Sequence, residues 1–260
     1  MKPPMFSVIT ICLNNKDGLI RTYDSLRSQS CDDYEWVVVD GVSTDGTLDV
    51  LKSLPKKDKV IWKSEPDSGL YDAMNKGMAL ATGDYLLFLN SGDELAGADV
   101  LEVVKANALK NSKPSLIYGD ALELCQDGSC VRKNAYAWKR VWYGMFTHHQ
   151  SIFYSRKKLG KQNYRLDYRI AADYAFTCEF LMRVDDVHYV DVPICLFEGG
   201  GLTSSGKVHI EGMREQWKIG RDIMKRSFVQ RLGVLSAHLV KHVLKRVSPK
   251  LYKWLRYKEI

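Results

Sequence analysis

No stretch of this chain is built to cradle phosphate through backbone glycine. The G-x-G-x-x-G turn of a dinucleotide fold and the G-x-x-x-x-G-K-[ST] loop of a P-loop enzyme are both missing after the first apolar run. A diphosphate ligand would therefore need a divalent cation and side chains to neutralise it. Nor does any apolar run approach the ~20 residues of a membrane-spanning helix. The opening Met1-Lys2-Pro3-Pro4-Met5 carries no apolar leader core, so the expectation is a protein neither exported nor integral to a membrane. Cysteine is present without a pattern: Cys12, Cys31, Cys125, Cys130, Cys178 and Cys195 form no C-x-x-C pair and no zinc-type spacing. They read as reduced and structural, with Cys125 and Cys130 flanking the Asp127-Gly128 turn and able to face each other across it. Internal repeats and low-complexity linkers are absent as well.

What is present is an ordinary globular composition, 45% hydrophobic and 27% charged over 260 residues, enough for one catalytic-sized domain with an appendage. The net charge of +7 is unevenly placed. Residues 201–260 hold 14 Lys and Arg against 4 Asp and Glu, which leaves 24 against 27 for residues 1–200. The basic character belongs to the tail, and the core is neutral to slightly acidic.

Four short β-branched or apolar runs, Phe6–Leu13, Glu35–Asp40, Lys59–Lys63 and Asp84–Asn90, punctuate the first third of the chain. Between them, helical spacing places Leu19, Tyr23 and Leu26, then Leu48, Leu51 and Leu54, then Leu70, Met74, Met78 and Ala81 on single faces. Ser68 or Asp67 is expected to cap the third of these helices. Strands that are apolar almost throughout, alternating with helices, predict an α/β fold around a mostly parallel sheet flanked by helices. After about Ala98 the rhythm changes to a helix ending near Asn111, a strand at Ser115–Tyr118 and a hairpin around Asp127-Gly128. From Lys207 the sequence reads as helix, which gives a domain over residues 1–206 and a basic amphipathic extension over 207–260.

In an open α/β sheet, ligands bind beyond the carboxyl ends of the strands. Here those ends are polar: Asn14-Asn15 after the first, Asp40 closing the second, Glu65-Pro66-Asp67 after the third, and Asn90-Ser91-Gly92-Asp93 after the fourth. Carboxylates and amides along one edge suit a ligand with hydroxyls, an imide and a metal-bound diphosphate.

Three segments, VVVDGVSTDGT (37–47), EPDSGLYDAMNKG (65–77) and GDYLLFLNSGD (83–93), together resemble glycosyltransferase family 2, whose fold is the Rossmann-like GT-A type. Three later ones, THHQSIFY (147–154), AADYAF (171–176) and GGGLTSS (199–205), are similar to bacterial colanic-acid and exopolysaccharide glycosyltransferases. The resemblance covers roughly residues 5–205. It implies an inverting transfer from a nucleoside-diphosphate sugar, of UDP or GDP type, to a polyprenyl-diphosphate-linked or oligosaccharide acceptor in surface-polysaccharide biosynthesis. It further implies that Asp40 meets the base or ribose, with Asn14, Asp67, Asn90 and Ser91 on the donor; the bland reading of Asp40 is a cap on its own turn. The family's metal motif is D-x-D, often D-S-D-D. This sequence has Asn90-Ser91-Gly92-Asp93, so Asp93 alone would hold Mg2+ or Mn2+, unless it only caps the next helix.

The same resemblance makes Asp173 the general base, against the alternative of a structural Asp at a helix start, with Tyr168 and Tyr174 enclosing it. It places His149 and Gln150 against acceptor or donor sugar. Neighbours on a strand face opposite sides, so only one of His148 and His149 should point inward. Asp72 and Lys76, four apart, read as a surface ion pair. Gly200, Gly201 and Ser204 would be either a lid or a hinge. Phe228, Leu232, Leu235, Leu239, Val243 and Val247 form an apolar stripe in the basic tail, and cationic and aromatic residues follow to Trp254 and Tyr257. That pattern suits peripheral contact with an anionic membrane at its cytoplasmic face, or packing on the core or a second subunit. A sugar-nucleotide nucleotidyltransferase is the nearest competing reading. A nucleic-acid-binding protein is another, and the near-neutral core argues against nucleic acid as a partner.

Overall fold

The computed structural model describes residues 2–55, 58–125, 128–198 and 206–248. The β-branched runs at the start of the chain become neighbouring strands, because each must bury both faces and only a sheet covered on both sides permits that. They are β1 (Phe6–Cys12), β2 (Tyr34–Asp40), β3 (Val60–Ser64) and β4 (Tyr85–Phe88), joined by α1 (Lys16–Arg27), α2 (Thr47–Ser53) and α3 (Leu70–Leu80). All pair in parallel in the order β3-β2-β1-β4, with Cys12 opposite Asp40 and Asp40 opposite Ser64. β3 lies at the edge and is only partly buried, unlike the other three.

The helix starts differ from expectation at one place. Neither Asp67 nor Ser68 caps α3: its N-cap is Gly69, in a positive-φ conformation (127°). The Asp67 carboxylate instead accepts from Gly69 N at 2.9 Å, and Asp72 accepts from Ser68 N at 2.9 Å. Asp72 and Lys76 do pair at 3.4 Å, and Lys76 also reaches Glu65 at 3.6 Å.

Beyond β4 the chain adds β5 (Glu94–Leu95), α4 (Val100–Lys110), β6 (Leu116–Leu124), β7 (Cys130–Lys133), β8 (Ile152–Ser155), α5 (Arg156–Leu159), α6 (Ala172–Leu181) and β9 (Val187–Glu198). The sheet continues as β4-β8-β6-β9-β5, with β7 on β6, and this half is mixed in direction. Across the β6–β7 hairpin Cys130 faces Leu124 rather than Cys125. Two apolar layers cover the sheet. One contains Phe88, Tyr154, Phe176 and Phe180, and the other Phe6, Trp36, Leu87 and Leu101. α6 belongs to the first layer and is buried on almost every face, so it reads as apolar without an amphipathic period.

Two further helices follow, α7 (Gly206–Asp222) and α8 (Phe228–Val247). α7 is seated on the core through Ile219, which is fully buried. α8 begins with a capping box, Ser227 and Gln230 each bonding the other's backbone. Most of its stripe is not packed away: Phe228, Leu232, Leu239, Val243 and Val247 are exposed, while Leu235 is half-buried. α8 is tied to the turn at Trp138–Trp142 by His238 Nε2, which donates to Tyr143 O at 2.9 Å and stacks on the Tyr143 ring. Trp142, Met224, Gly233 and Val234 line a groove of about 630 Å3 there. Among the described residues no helix is long and apolar enough to cross a membrane.

Candidate active site

Parallel pairing delivers the loops after β1 to β4 to one edge of the sheet. Asn14, left-handed at φ 50°, joins the first loop to the second: its N–H donates to Ser43 Oγ and its Oδ1 accepts from Thr44 N, both at 2.8 Å. Asp40 caps its own turn. Its carboxylate is 0% exposed and accepts from Val42 N (3.1 Å), Ser43 N (3.1 Å) and Ser64 Oγ (2.6 Å). No oxygen is left at the surface for a ligand, so direct contact with a base or ribose is corrected to a role behind the loop. Asp67 is freer. While Oδ1 holds Gly69 N, Oδ2 lies against the backbone at Gly41, where a Cβ would stand 2.8 Å away; only glycine admits that approach.

The turn after β4 is pinned to α1. Asn15 caps that helix through Gly18 N (3.2 Å) and donates to Ser91 O (2.9 Å), while Ser91 Oγ donates to Asn15 O (3.1 Å). Gly92, at φ 103°, donates to Gly18 O at 3.1 Å, and Thr22 Oγ donates to Asp93 O at 2.7 Å. Asn90 Oδ1 is buried without a partner, a costly state for an amide oxygen that a donating ligand hydroxyl would relieve.

Asp93 Oδ2 accepts from Gln150 Nε2 at 2.9 Å, and Gln150 Oε1 lies 3.3 Å from His148 Nδ1. The His148 ring stacks on Phe197 with centroids 3.7 Å apart. His149 Nδ1 lies 3.8 Å from Asp173 Oδ2. The expectation that only one of the two histidines points inward assumed a strand, whereas His149–Ser151 is a 3-10 turn and β8 begins at Ile152. Strand alternation therefore does not apply, and one histidine serves each side. The turn is held by Thr147 Oγ on Gly119 O (2.7 Å) and Ser151 Oγ on Asp120 O (2.8 Å).

Burial sets the electrostatics. It pushes His148 and His149 down to about 4, leaving both imidazoles neutral at pH 7. Burial pushes Asp173 up to about 6, opposed by the Tyr174 N–H and His148 and reinforced by Glu215. Tyr174 does not enclose Asp173, because its hydroxyl donates to Val141 O at 2.7 Å; Tyr168 is buried beneath Arg165. The phenols coupled to the Asp173 charge are Tyr71, Tyr154 and Tyr164. Among the described residues no three His, Cys, Asp or Glu side chains gather as a metal site. A lone carboxylate fits a hard cation that arrives with its diphosphate better than a resident one. Gly200, Gly201 and Ser204 lie outside the described residues, as do Trp254 and Tyr257.

Sequence reasoning named Asn15 and His148 without giving either a role in the site, and missed Glu215. Glu215 left one legible trace: it stands four residues before Ile219, on the helix face that the core buries.

The family model described as Glycosyl transferase family 2 matches residues 7–119. A PGL/p-HBAD biosynthesis glycosyltransferase of Mycobacterium bovis strain BCG is 36% identical over 216 residues, covering 79% of this chain and 81% of the relative. A putative teichuronic acid biosynthesis glycosyltransferase of Bacillus subtilis, TuaG, is 34% identical over 143 residues, 54% of this chain and 56% of that one. Among solved structures, S. aureus TarS in complex with UDP-GlcNAc superposes with a TM-score of 0.70 at 17% identity, covering 97% of this chain and 76% of that one. The mannosyltransferase PcManGT from Pyrobaculum calidifontis, in complex with GDP-Man and Mn2+, gives 0.63 at 16% identity, covering 98% and 79%. At such identities the likeness carries the fold, which is GT-A. The nucleotidyltransferase reading gives way to these relatives. With a family model over its first strands and a named relative sharing more than a third of its residues along most of both chains, the protein belongs to glycosyltransferase family 2.

Proposed function

We propose that this enzyme transfers a sugar from a UDP- or GDP-type donor to a lipid-linked or oligosaccharide acceptor of a surface polysaccharide, with inversion at the anomeric carbon. The observation that carries the reading is the turn Thr147–Ser151, which holds Asp93 through Gln150 on one side and sets His149 beside Asp173 on the other. Asn14, Asp67, Asn90 and Ser91 face the donor, and Asp40 keeps their loops in place. Asp93 is the residue to hold Mg2+ or Mn2+, which when bound neutralises the diphosphate and eases its departure. The complexes of TarS with UDP-GlcNAc and of PcManGT with GDP-Man and Mn2+ support this assignment by fold.

Asp173 accepts the proton of the acceptor hydroxyl as that oxygen bonds to the anomeric carbon, and the nucleoside diphosphate leaves with the electron pair of the broken bond. A carboxyl raised to about 6 suits a general base, since it is ionised at neutral pH and more basic than an ordinary aspartate. His149 and Gln150, both neutral, orient sugar hydroxyls. The exposed apolar row of α8, set in the basic tail, supports peripheral contact with the anionic cytoplasmic face of the membrane, where a lipid-linked acceptor is reached.

A thermal-shift panel of UDP, GDP, CMP and dTDP, with and without Mn2+, on wild type and Asp93→Ala tests the donor site, because bound ligand stabilises by RT ln(1 + [L]/Kd). One nucleotide that shifts the wild type with Mn2+ and not the variant is expected. No shift with any nucleotide would refute the donor assignment.

A further inference from the structure

α6 presents Asp173 in its first turn, yet what fixes that turn comes from the C-terminal segment. Glu215, in the middle of α7, is only 6% exposed. Its Oε1 accepts from Arg169 N at 2.7 Å, and its Oε2 accepts from Ile170 N at 2.9 Å and Ala171 N at 2.8 Å. Ala171 is the N-cap of α6, and it makes no side-chain cap of its own. The N-cap N–H of α6 and the two N–H groups just before it are thus gathered by one carboxylate from another helix. Tyr71 Oη locks the same loop from α3, donating to Ile170 O at 3.1 Å. Ile219, one turn further along α7, anchors the arrangement in the core with no exposed surface.

We propose that Glu215 is a positioning residue of the transfer reaction: from α7 it fixes the three residues that lead into α6 and so holds the Asp173 carboxylate opposite His149. The inference rests on the reading of Asp173 as the base. Its structural consequence is that α7 is part of the catalytic apparatus. Glu215 also occupies the positive end of the α6 dipole, which would otherwise favour ionised Asp173. The groups facing Asp173 are His148 and His149 from the 3-10 turn, Tyr154 from β8, Tyr71 from α3, Tyr164 from the loop before α6, Cys178 on α6 itself and Glu215 from α7. Burial is the main cause that raises the Asp173 carboxyl, and of these groups Glu215 adds to it. Removing its charge should lower it.

The test follows nucleoside diphosphate release from UDP-GlcNAc or GDP-Man, whichever nucleotide the thermal-shift panel selects, with water as acceptor, across pH. In Glu215→Gln, an amide N–H meets backbone N–H groups and the charge is gone. The maximal rate is expected to fall on the order of 10- to 100-fold through displaced geometry, with donor KM unchanged and the acidic limb moved to lower pH. Glu215→Asp keeps the charge and shortens the reach, so its rate should fall while the acidic limb stays in place. A wild-type rate in either folded variant overturns the proposal. So does a loss that raises donor KM in parallel or leaves the Glu215→Gln limb unmoved, since that is general loosening. Should Glu215→Gln not fold, the Glu215→Asp rate and limb decide. Asp173→Asn in the same assay separates the two ideas: full release there sinks the base reading itself, whereas loss of release with an unaltered Glu215→Gln profile sinks only the role of Glu215.

Discussion

Replacing Asp173 by Asn should abolish transfer and, at neutral pH, make the protein more stable. The carboxyl stands at about 6 in the folded chain against an ordinary 3.8. Its side chain is only one quarter exposed, and burial penalises its charged form by more than the Tyr174 N–H and His148 compensate. A raised carboxyl binds its proton more tightly folded than unfolded, so stability is lost as pH rises between those two values and the penalty is complete above the higher one. The difference corresponds to about 3 kcal/mol at pH 8 and roughly half that at pH 5. Asn keeps the acceptor for Tyr174 N, which Asp173 now receives at 2.7 Å, and carries no charge to desolvate. Denaturant unfolding of wild type and variant at pH 8 and pH 5, read with nucleotide binding at each pH, measures the gap. Greater stability of the variant at pH 8, shrinking at pH 5, is expected. An equal or lower stability at pH 8, or a gap that does not change with pH, would refute the argument that burial sets this carboxyl.

Gly119→Ala should destabilise the protein by ~1–3 kcal/mol, because the new Cβ would stand 2.6 Å from Val192 O at the irregular β6–β9 pairing; thermal unfolding checks this, and the anchor of Thr147 on Gly119 O should loosen with it. Gly41→Ala is expected to leave folding nearly intact and weaken donor nucleotide binding roughly tenfold, about 1.4 kcal/mol, by pushing the Asp67 carboxylate aside; calorimetric titration reads it. Val240→Asp on α8, where Val240 is 65% exposed, should reduce binding to anionic vesicles by about tenfold, the scale of one buried valine, and leave nucleotide release with water as acceptor unchanged. Vesicle co-sedimentation that does not respond would remove membrane contact from this face.

The strand–helix alternation of the first 90 residues was legible because both faces of β1, β2 and β4 are buried, which writes apolar runs directly into the sequence. The polar strand ends were legible for the same reason: an Asn or Asp breaking such a run stands out. The division of labour among those ends was not. Asp40 and Asp67 are the same residue type at equivalent strand ends, and only the surrounding N–H and hydroxyl groups make one a buried brace and leave the other an open carboxylate. The local structure at the two histidines was not legible, because a 3-10 turn of three residues carries no period that a sequence can display.

By itself, then, the sequence determined the α/β alternation, the edge of the sheet where ligands meet the chain, the departure from the family's paired metal carboxylates, and the concentration of positive charge in the tail. These are local or periodic properties, and each leaves its mark within a few residues. Tertiary structure alone decided that Gln150 reaches Asp93 across 57 positions and that His149 meets Asp173. It also decided that Glu215 closes the helix start 44 positions upstream, and that most of the α8 stripe stays exposed. Those contacts depend on burial and on the meeting of distant segments, which set the protonation of Asp173 and leave no periodic signal in the chain.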